Sequence, residues 1–258
     1  MKQRGYEVLG NLAIVNFPKS AKQKEKKKFA KKILKEHKQV KTILEKTGKF
    51  SGRLRKMQTK YLAGEKTKEV LYKENGCNFR FNIDKTYFSA KLSNERKEIS
   101  NQIKKGKKVL VMFSGVGPFS LVIAKNSKAS KVFSNEINRE ANKYEKLNIE
   151  LNKLKNKVEQ VPGDIKKVAK KINKKFDTIV MPRPQLKDSF LEQAFKLSKK
   201  GTRIFYYDFC KEDEINLILN KINLEAKKFK KKIKILKTKT AGEIAPYKIR
   251  LRVDFKIL

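Results

Sequence analysis

Apolar residues follow two rhythms along the chain. Up to about residue 90 they form short strand-like runs around one helix. "YEVLGNLAIVNF" (6–17) predicts a strand pair turned at Gly10-Asn11, where glycine beside asparagine supplies the backbone of a tight turn. In "AKQKEKKKFAKKILKEHK" (21–38), Phe29, Ala30, Ile33 and Leu34 fall on a narrow helical stripe and lysines cover the rest. Further strands are predicted around 40–46, 55–64 and 77–84, giving a small α+β domain over residues 1–90.

From about residue 91 the rhythm becomes alternating helix and strand. "SNERKEISNQIKK" (93–105) predicts a helix with Ser93 as its N-cap, followed by "KKVLVMF" (107–113), a continuous apolar run suited to a strand buried on both faces. Later strands are predicted at 130–136, 158–164, 176–181 and 201–209, with helices at 115–126, 138–152, 165–174 and 187–199. Five strand–helix steps imply a doubly wound parallel sheet that binds ligands at the carboxyl ends of its strands. After a helix at 211–229, "KKIKILKTKT" and "KIRLRVDFKIL" alternate with period two and predict a closing antiparallel pair. Five parallel strands plus a terminal antiparallel pair resemble the α/β, Rossmann-like class of S-adenosylmethionine (AdoMet)-dependent methyltransferases, here over residues 91–258.

Charge narrows the partner. Among 258 residues, 66 Lys+Arg against 26 Asp+Glu give a formal net charge of +40, a field that calls for a polyanion. Ten of the basic residues are arginine, so each arginine is the more informative choice. No stretch is long and apolar enough to span a bilayer, and the N-terminus lacks the apolar core of a signal peptide; a soluble, cytoplasmic protein is expected. Cys77 and Cys210 match no metal spacing and read as small buried hydrophobes. His37 is the single histidine and cannot build a metal site alone, so no metal is expected.

The first candidate for chemistry is "VLVMFSGVGPFSL" (109–121), a strand running through Phe113 into Gly115-Val116-Gly117 and then a helix. Glycines let the backbone approach a ligand, and the helix start presents free N–H groups. The third glycine of the dinucleotide fingerprint and the Gly-Lys-Ser/Thr of a P-loop are absent. Glu136 ends the next strand, where a carboxylate can accept both hydroxyls of a ribose, and Asp164 ends the third, beside an expected adenine edge. Together they predict an AdoMet site of Phe113, Gly115, Val116, Gly117, Glu136, Ile137, Asp164, Ile165 and Met181. A second group is "YFSAKLSNERKEI" (87–99), whose Glu95 is either an acid favouring a helix N-terminus or a general base; spacing leaves both open.

"YFSAKLSNER", "MFSGVGPFS", "NEIN", "PGD" and the "AP" before the last strand resemble the archaeal and eukaryotic tRNA (guanine-37-N1)-methyltransferases, from about residue 6 to the end. The resemblance implies methyl transfer from AdoMet to N1 of guanosine 37, beside the anticodon, by a monomer. It implies that Glu95 takes the N1 proton, that Arg53 or Arg55 stabilises charge on O6, and that Tyr87 supports the base or the cofactor. Guanine N1 is protonated at neutral pH, so a carboxylate and a guanidinium suit this task, and the base must leave its stack to be reached. An extra N-terminal domain carried by most archaeal members is not expected here.

Two positions depart from the family pattern. Ala90-Lys91 stands for Pro-Arg, so Lys91 offers a point charge in place of a fork. Pro182-Arg183-Pro184 stands where most members have Asn-Leu-Pro, whose asparagine holds the target purine. A branch with proline there also methylates carbon 7 of 4-demethylwyosine, on the route to wyosine derivatives. Lys91, Pro182, Arg183 and Pro184 are therefore the expected substrate-side residues, and broadened base specificity is expected. The rival readings are an aminocarboxypropyl transferase of the wyosine pathway and a basic RNA-binding protein on a methyltransferase fold. The lysine-rich helix at 22–38 is expected to supply phosphate contacts.

Overall fold

In the computed structural model, which describes residues 5–48, 52, 54 and 57–258, the N-terminal strands pair around one crossover helix. β1 (Tyr6–Leu9) and β2 (Leu12–Val15) form the expected antiparallel pair, and α1 (Gln23–Glu36) returns the chain so that β3 (Thr42–Lys46) runs parallel to β2. β4 (Thr59–Gly64) closes this sheet in the order β1-β2-β3-β4. Ala30 and Ile33 bury the apolar stripe of α1. The Gly10-Asn11 turn does more than reverse the chain. A Cβ on Gly10 would lie 1.8 Å from the Leu71 carbonyl oxygen, and the Asn11 side chain donates to Glu69 O (3.1 Å) and accepts from Leu71 N (2.6 Å). The turn thus docks on β5 (Glu69–Glu74), a strand not predicted from the sequence, whose apolar run Val70-Leu71-Tyr72 is bounded by charges. His37 ends α1, its ring 2.8 Å from the Tyr6 hydroxyl.

β5 pairs with β6 (Cys77–Asn82), and this hairpin leans on the larger unit through asparagines. Asn148 accepts from Arg80 N (2.8 Å), while Asn152 accepts from Asn78 N (2.8 Å) and donates to Asn78 O (2.7 Å). These side chains satisfy backbone groups of an edge strand that would otherwise be left bare.

Among the described residues, the large sheet has the order β12-β13-β11-β10-β7-β8-β9. β7 (Lys108–Met112), β8 (Lys131–Glu136), β9 (Val158–Pro162), β10 (Phe176–Met181) and β11 (Ser198–Lys211) run parallel to their neighbours within this set. β12 (Ile233–Ala245) and β13 (Lys248–Ile257) add the expected antiparallel edge. Val109, Val111, Val180 and Phe205 fill one face, and Leu110, Met112, Ile179 and Ile204 the other, so alternate residues of the same strands build two cores. Both cysteines are free and buried within these cores.

α2 (Ser93–Gln102), α3 (Pro118–Asn126), α4 (Arg139–Leu151) and α7 (Ile215–Lys228) follow expectation closely, but α5 (Ile165–Val168) and α6 (Leu191–Leu197) are shorter than predicted. The start of α6 is delayed because Arg183 binds the carbonyls of Pro184, Leu186 and Asp188 and keeps that stretch out of a helix. Ser93 is not the N-cap of α2. Leu92 takes that position after a short 3-10 turn (Ala90–Leu92), and the Ser93 hydroxyl instead lies 3.1 Å from Asn75 Nδ2. No helix among the described residues is long and apolar enough to cross a membrane.

Candidate active site

The carboxyl ends of β7 to β10 surround a cleft of about 720 Å³ including its open mouth, within the range of about 300–1,000 Å³ usual for small-molecule sites. Its shape begins with the turn after β7. Phe113, Gly115 and Gly117 all take positive φ (60°, 60° and 89°), which brings the chain sharply over the strand end, and Pro118 starts α3 where an N–H would have no helical partner. A Cβ on Gly117 would meet Leu121 Cδ1 at 2.6 Å and Glu145 Oε1 at 3.0 Å, so this glycine is required by packing as well as by φ.

Glu136 ends β8, and its carboxylate accepts backbone N–H groups from Gly115 (2.8 Å), Ile137 (2.9 Å) and Asn138 (2.7 Å). One side chain therefore fixes the glycine turn of β7 to the turn after β8. Asp164 caps α5 through Lys166 N at 3.0 Å. Ile137, Ile165, Phe113 and Phe190 provide apolar walls, with the two phenylalanine rings 4.9 Å apart edge to face. Tyr87, Pro182 and Pro184 complete the rim. An apolar slot between two strand-end carboxylates, reached by a glycine backbone, fits a nucleoside-bearing cofactor such as AdoMet. Glu136 would hold the ribose, Asp164 and Ile165 the adenine, and the cofactor when bound would supply an electrophilic methyl group.

Not every expected residue lines this cleft. The Val116 side chain is buried from the glycine turn into the core on one face of the sheet, that of Met181 from the end of β10 into the core on the other, and Gly117, packed toward Leu121 and Glu145, does not line the opening. Leu54, Asn135, Asn138, Ala141, Gly163, Leu186 and Phe190 line it without having been predicted. Lys91 is exposed on the 3-10 turn and takes no part in the cleft. Arg183 is corrected from a substrate-side group to a structural clamp. Its side chain is buried, ion-paired with Asp208, and bound to three loop carbonyls at 3.0–3.2 Å. Arg53 and Arg55 lie outside the described residues; Leu54 between them lines the cleft.

Glu95 does not line the cleft either. It is 5% exposed and forms the hub of a buried ionic cluster built from α2 and the last three strands. Its carboxylate accepts from Tyr207 Oη (2.9 Å), Arg252 Nη1 (2.6 Å) and Lys239 Nζ (2.7 Å). Arg252, wholly buried, also donates to Glu98 (2.6 Å) and Asp254 (2.8 Å), and Lys239 reaches Glu98 at 2.5 Å. Burial alone would push the Glu95 carboxyl up, but hydrogen bonds from Lys239 and Arg252 and the charge of Arg252 hold it below the usual range. Glu98 is held at about 2, chiefly by its hydrogen bond from Arg252, against the opposing effect of burial. Sequence reasoning missed Tyr207, Lys239, Glu98 and Arg252. The available signal was "RVD" in the final strand, where Asp254 is the single acid on a face otherwise made of Lys248, Arg250, Arg252 and Lys256.

A second buried glutamate lies beneath the glycine turn. Glu145 on α4 accepts from the Ser134 hydroxyl and from Gln160 Nε2 (3.0 Å), and no cation forms a salt bridge with it among the described residues. Burial pushes its carboxyl up to about 7 against these hydrogen bonds.

The parallel sheet, the glycine turn and the two strand-end carboxylates define a Rossmann-like, AdoMet-dependent methyltransferase. The TRM5/TYW2 methyltransferase domain matches residues 70–236 and the TYW2 N-terminal domain matches residues 2–67, and the chain belongs to the TRM5/TYW2 methyltransferase family. It is 35% identical over 253 residues to "tRNA (guanine(37)-N(1))-methyltransferase Trm5b" of Pyrococcus abyssi, covering 98% of this chain and 74% of that relative. It is 31% identical to "tRNA (guanine(37)-N(1))/4-demethylwyosine(37)-methyltransferase Taw22" of Nanoarchaeum equitans, covering 98% and 99%. The crystal structure of wild-type Trm5b from Pyrococcus abyssi superposes with a TM-score of 0.86 at 34% identity, covering 98% of this chain and 74% of that one.

Proposed function

We propose that this chain transfers a methyl group from AdoMet to N1 of guanosine 37 in tRNA, and to carbon 7 of 4-demethylwyosine at the same position. The observation that carries both substrates is the match to the doubly active Taw22, which spans 98% of this chain and 99% of that relative. Pro182 at the rim of the cleft agrees with it, since proline leaves no amide side chain there to select the guanine edge. The enzyme acts on cytoplasmic tRNA, as a monomer.

In this reading Glu95 accepts the N1 proton of the extruded base. Lys239 and Arg252 keep it ionised, so the acceptor is always in the competent form at neutral pH; the cost is a weaker base, and positioning must supply the balance. One of Arg53 and Arg55 neutralises charge on O6 as the proton leaves. Pro182 and Pro184 hold the rim rigid beside the reacting base, and the apolar walls exclude water from it.

The test is incubation of the purified protein with AdoMet and either unmodified or 4-demethylwyosine-bearing tRNA, read by nucleoside mass spectrometry. The expected products are 1-methylguanosine and the C7-methylated tricycle, each with S-adenosylhomocysteine. Absence of 1-methylguanosine would end the first assignment, and absence of the methylated tricycle the second. Methylthioadenosine as by-product would instead mean aminocarboxypropyl transfer.

A further inference from the structure

Residues 182–187 separate two cavities. Pro182 and Pro184 face the cofactor cleft; Arg183, Gln185 and Lys187 face a second, more open concavity of about 780 Å³ including its open mouth, and Leu186 touches both. The prolines lock their own φ, Arg183 N closes a tight turn onto Met181 O at 2.7 Å, and the loop curls round the Arg183 guanidinium, which turns successive side chains to opposite sides. The segment is therefore a wall one residue thick.

The far cavity is closed by Asp208 and Phe209 at the end of β11 and by Ile218 and Lys221 on α7. Arg183 pairs with Asp208 and clamps the wall, so their charges offset each other. Lys221 lies 3.4 Å from the same Asp208, which cannot neutralise both cations. Lys187 is exposed and has no ion pair among the described residues. Three cations against one carboxylate leave about two positive charges around a concave surface floored by Phe209 and Ile218. A lysine-rich chain scatters such charge widely, but here it lies directly behind the wall of the cofactor cleft. A base that enters over the rim at Pro182 and Pro184 leaves its own sugar–phosphate strand outside the cleft, and Lys187 and Lys221 stand just across the wall from that rim.

We propose that this cavity is a phosphate-binding subsite, in which Lys187 and Lys221 hold a phosphodiester of the tRNA strand that carries residue 37. The proposal rests on the tRNA reading of the cleft. Lysine suits the task, since a backbone phosphate must be held by charge without sequence preference.

The experiment compares two charge-reversed variants of the full chain, Lys187→Glu/Lys221→Glu and Lys104→Glu/Lys105→Glu. The second pair is exposed just before β7, at the opposite end of the parallel strands. Equilibrium tRNA binding is measured over a salt series, and AdoMet binding by calorimetry reports an intact fold. The first variant should lose about tenfold or more in tRNA affinity beyond the second and lower the slope of log Kd against log salt by about 1, with AdoMet binding kept within twofold. Equal losses for the two variants would overturn the subsite. A wild-type protein that binds tRNA but methylates none would overturn the proposed reaction, while the binding comparison would still decide the subsite.

Discussion

Glu145 and Glu95 are both buried glutamates on helices packed against one sheet, yet their surroundings drive them in opposite directions. Glu145 sits under the glycine turn with hydroxyl and amide donors, and burial raises it to about 7. Glu95 sits behind the last strands with Arg252 and Lys239, which lower it. The difference teaches how each region is held. The cofactor cleft depends on backbone shape, with Glu136 joining two turns, and tolerates a carboxyl that is half protonated near neutrality. The Glu95 cluster depends on charge balance: its cations hold Glu95 and Glu98 below the usual range, while burial keeps Asp254 above it against Arg252 and Arg203.

The contrast is broken most severely at Arg252. Arg252→Ala leaves Glu95, Glu98 and Asp254 facing one another with one fewer buried cation, and should cost about 3–5 kcal/mol in denaturant unfolding. A loss under 1 kcal/mol would show that the cluster is solvated in solution.

Glu145 sharpens the other side. Its folded pKa exceeds that of an unfolded glutamate, so the native state binds the extra proton between the two. Stability is then fullest below about 4.5 and is lost as pH rises through about 7, by up to about 3 kcal/mol in total. Glu145→Gln keeps the hydrogen-bonding shape and should remove this slope; unfolding curves at several pH values check it. An unchanged slope would place the titrating group elsewhere. Glu95 predicts the reverse dependence, with its contribution present above the ordinary carboxylate range and lost on acidification.

Gly117→Ala should have a smaller effect on stability, about 1–3 kcal/mol, because the new methyl meets Leu121 and Glu145 at a positive φ. AdoMet affinity should fall with it, as measured by calorimetry, since the same turn carries Gly115. Wild-type affinity in this variant would mean that the turn does not shape the cleft.

The same contrast explains what was legible in the sequence. The strand–turn–helix steps around Gly115, Glu136 and Asp164 are local, and each leaves its signature within a dozen residues. They sufficed to predict the parallel sheet and to name Phe113, Gly115, Glu136, Ile137, Asp164 and Ile165 among the residues now gathered round the cleft. The Glu95 cluster joins residues 112, 144 and 157 positions apart, and no local pattern records such a meeting. β5 escaped notice because Glu69, Lys73 and Glu74 leave a run of three apolar residues between them, of which Val70 is buried and Leu71 exposed, too short to show a period. The role of Arg183 was concealed for a different reason. Its partner Asp208 stands on the next parallel strand, and only the strand order makes them neighbours.

The central claim is that the cleft binds the cofactor while Glu95, outside it, serves the reacting base. Glu95→Gln preserves size and separates the two functions in one protein. AdoMet affinity by calorimetry should stay within twofold of wild type, while single-turnover methyl transfer to guanosine-37 tRNA should fall by about 10²-fold or more. Transfer at the wild-type rate, or a parallel loss of AdoMet binding, would contradict the account.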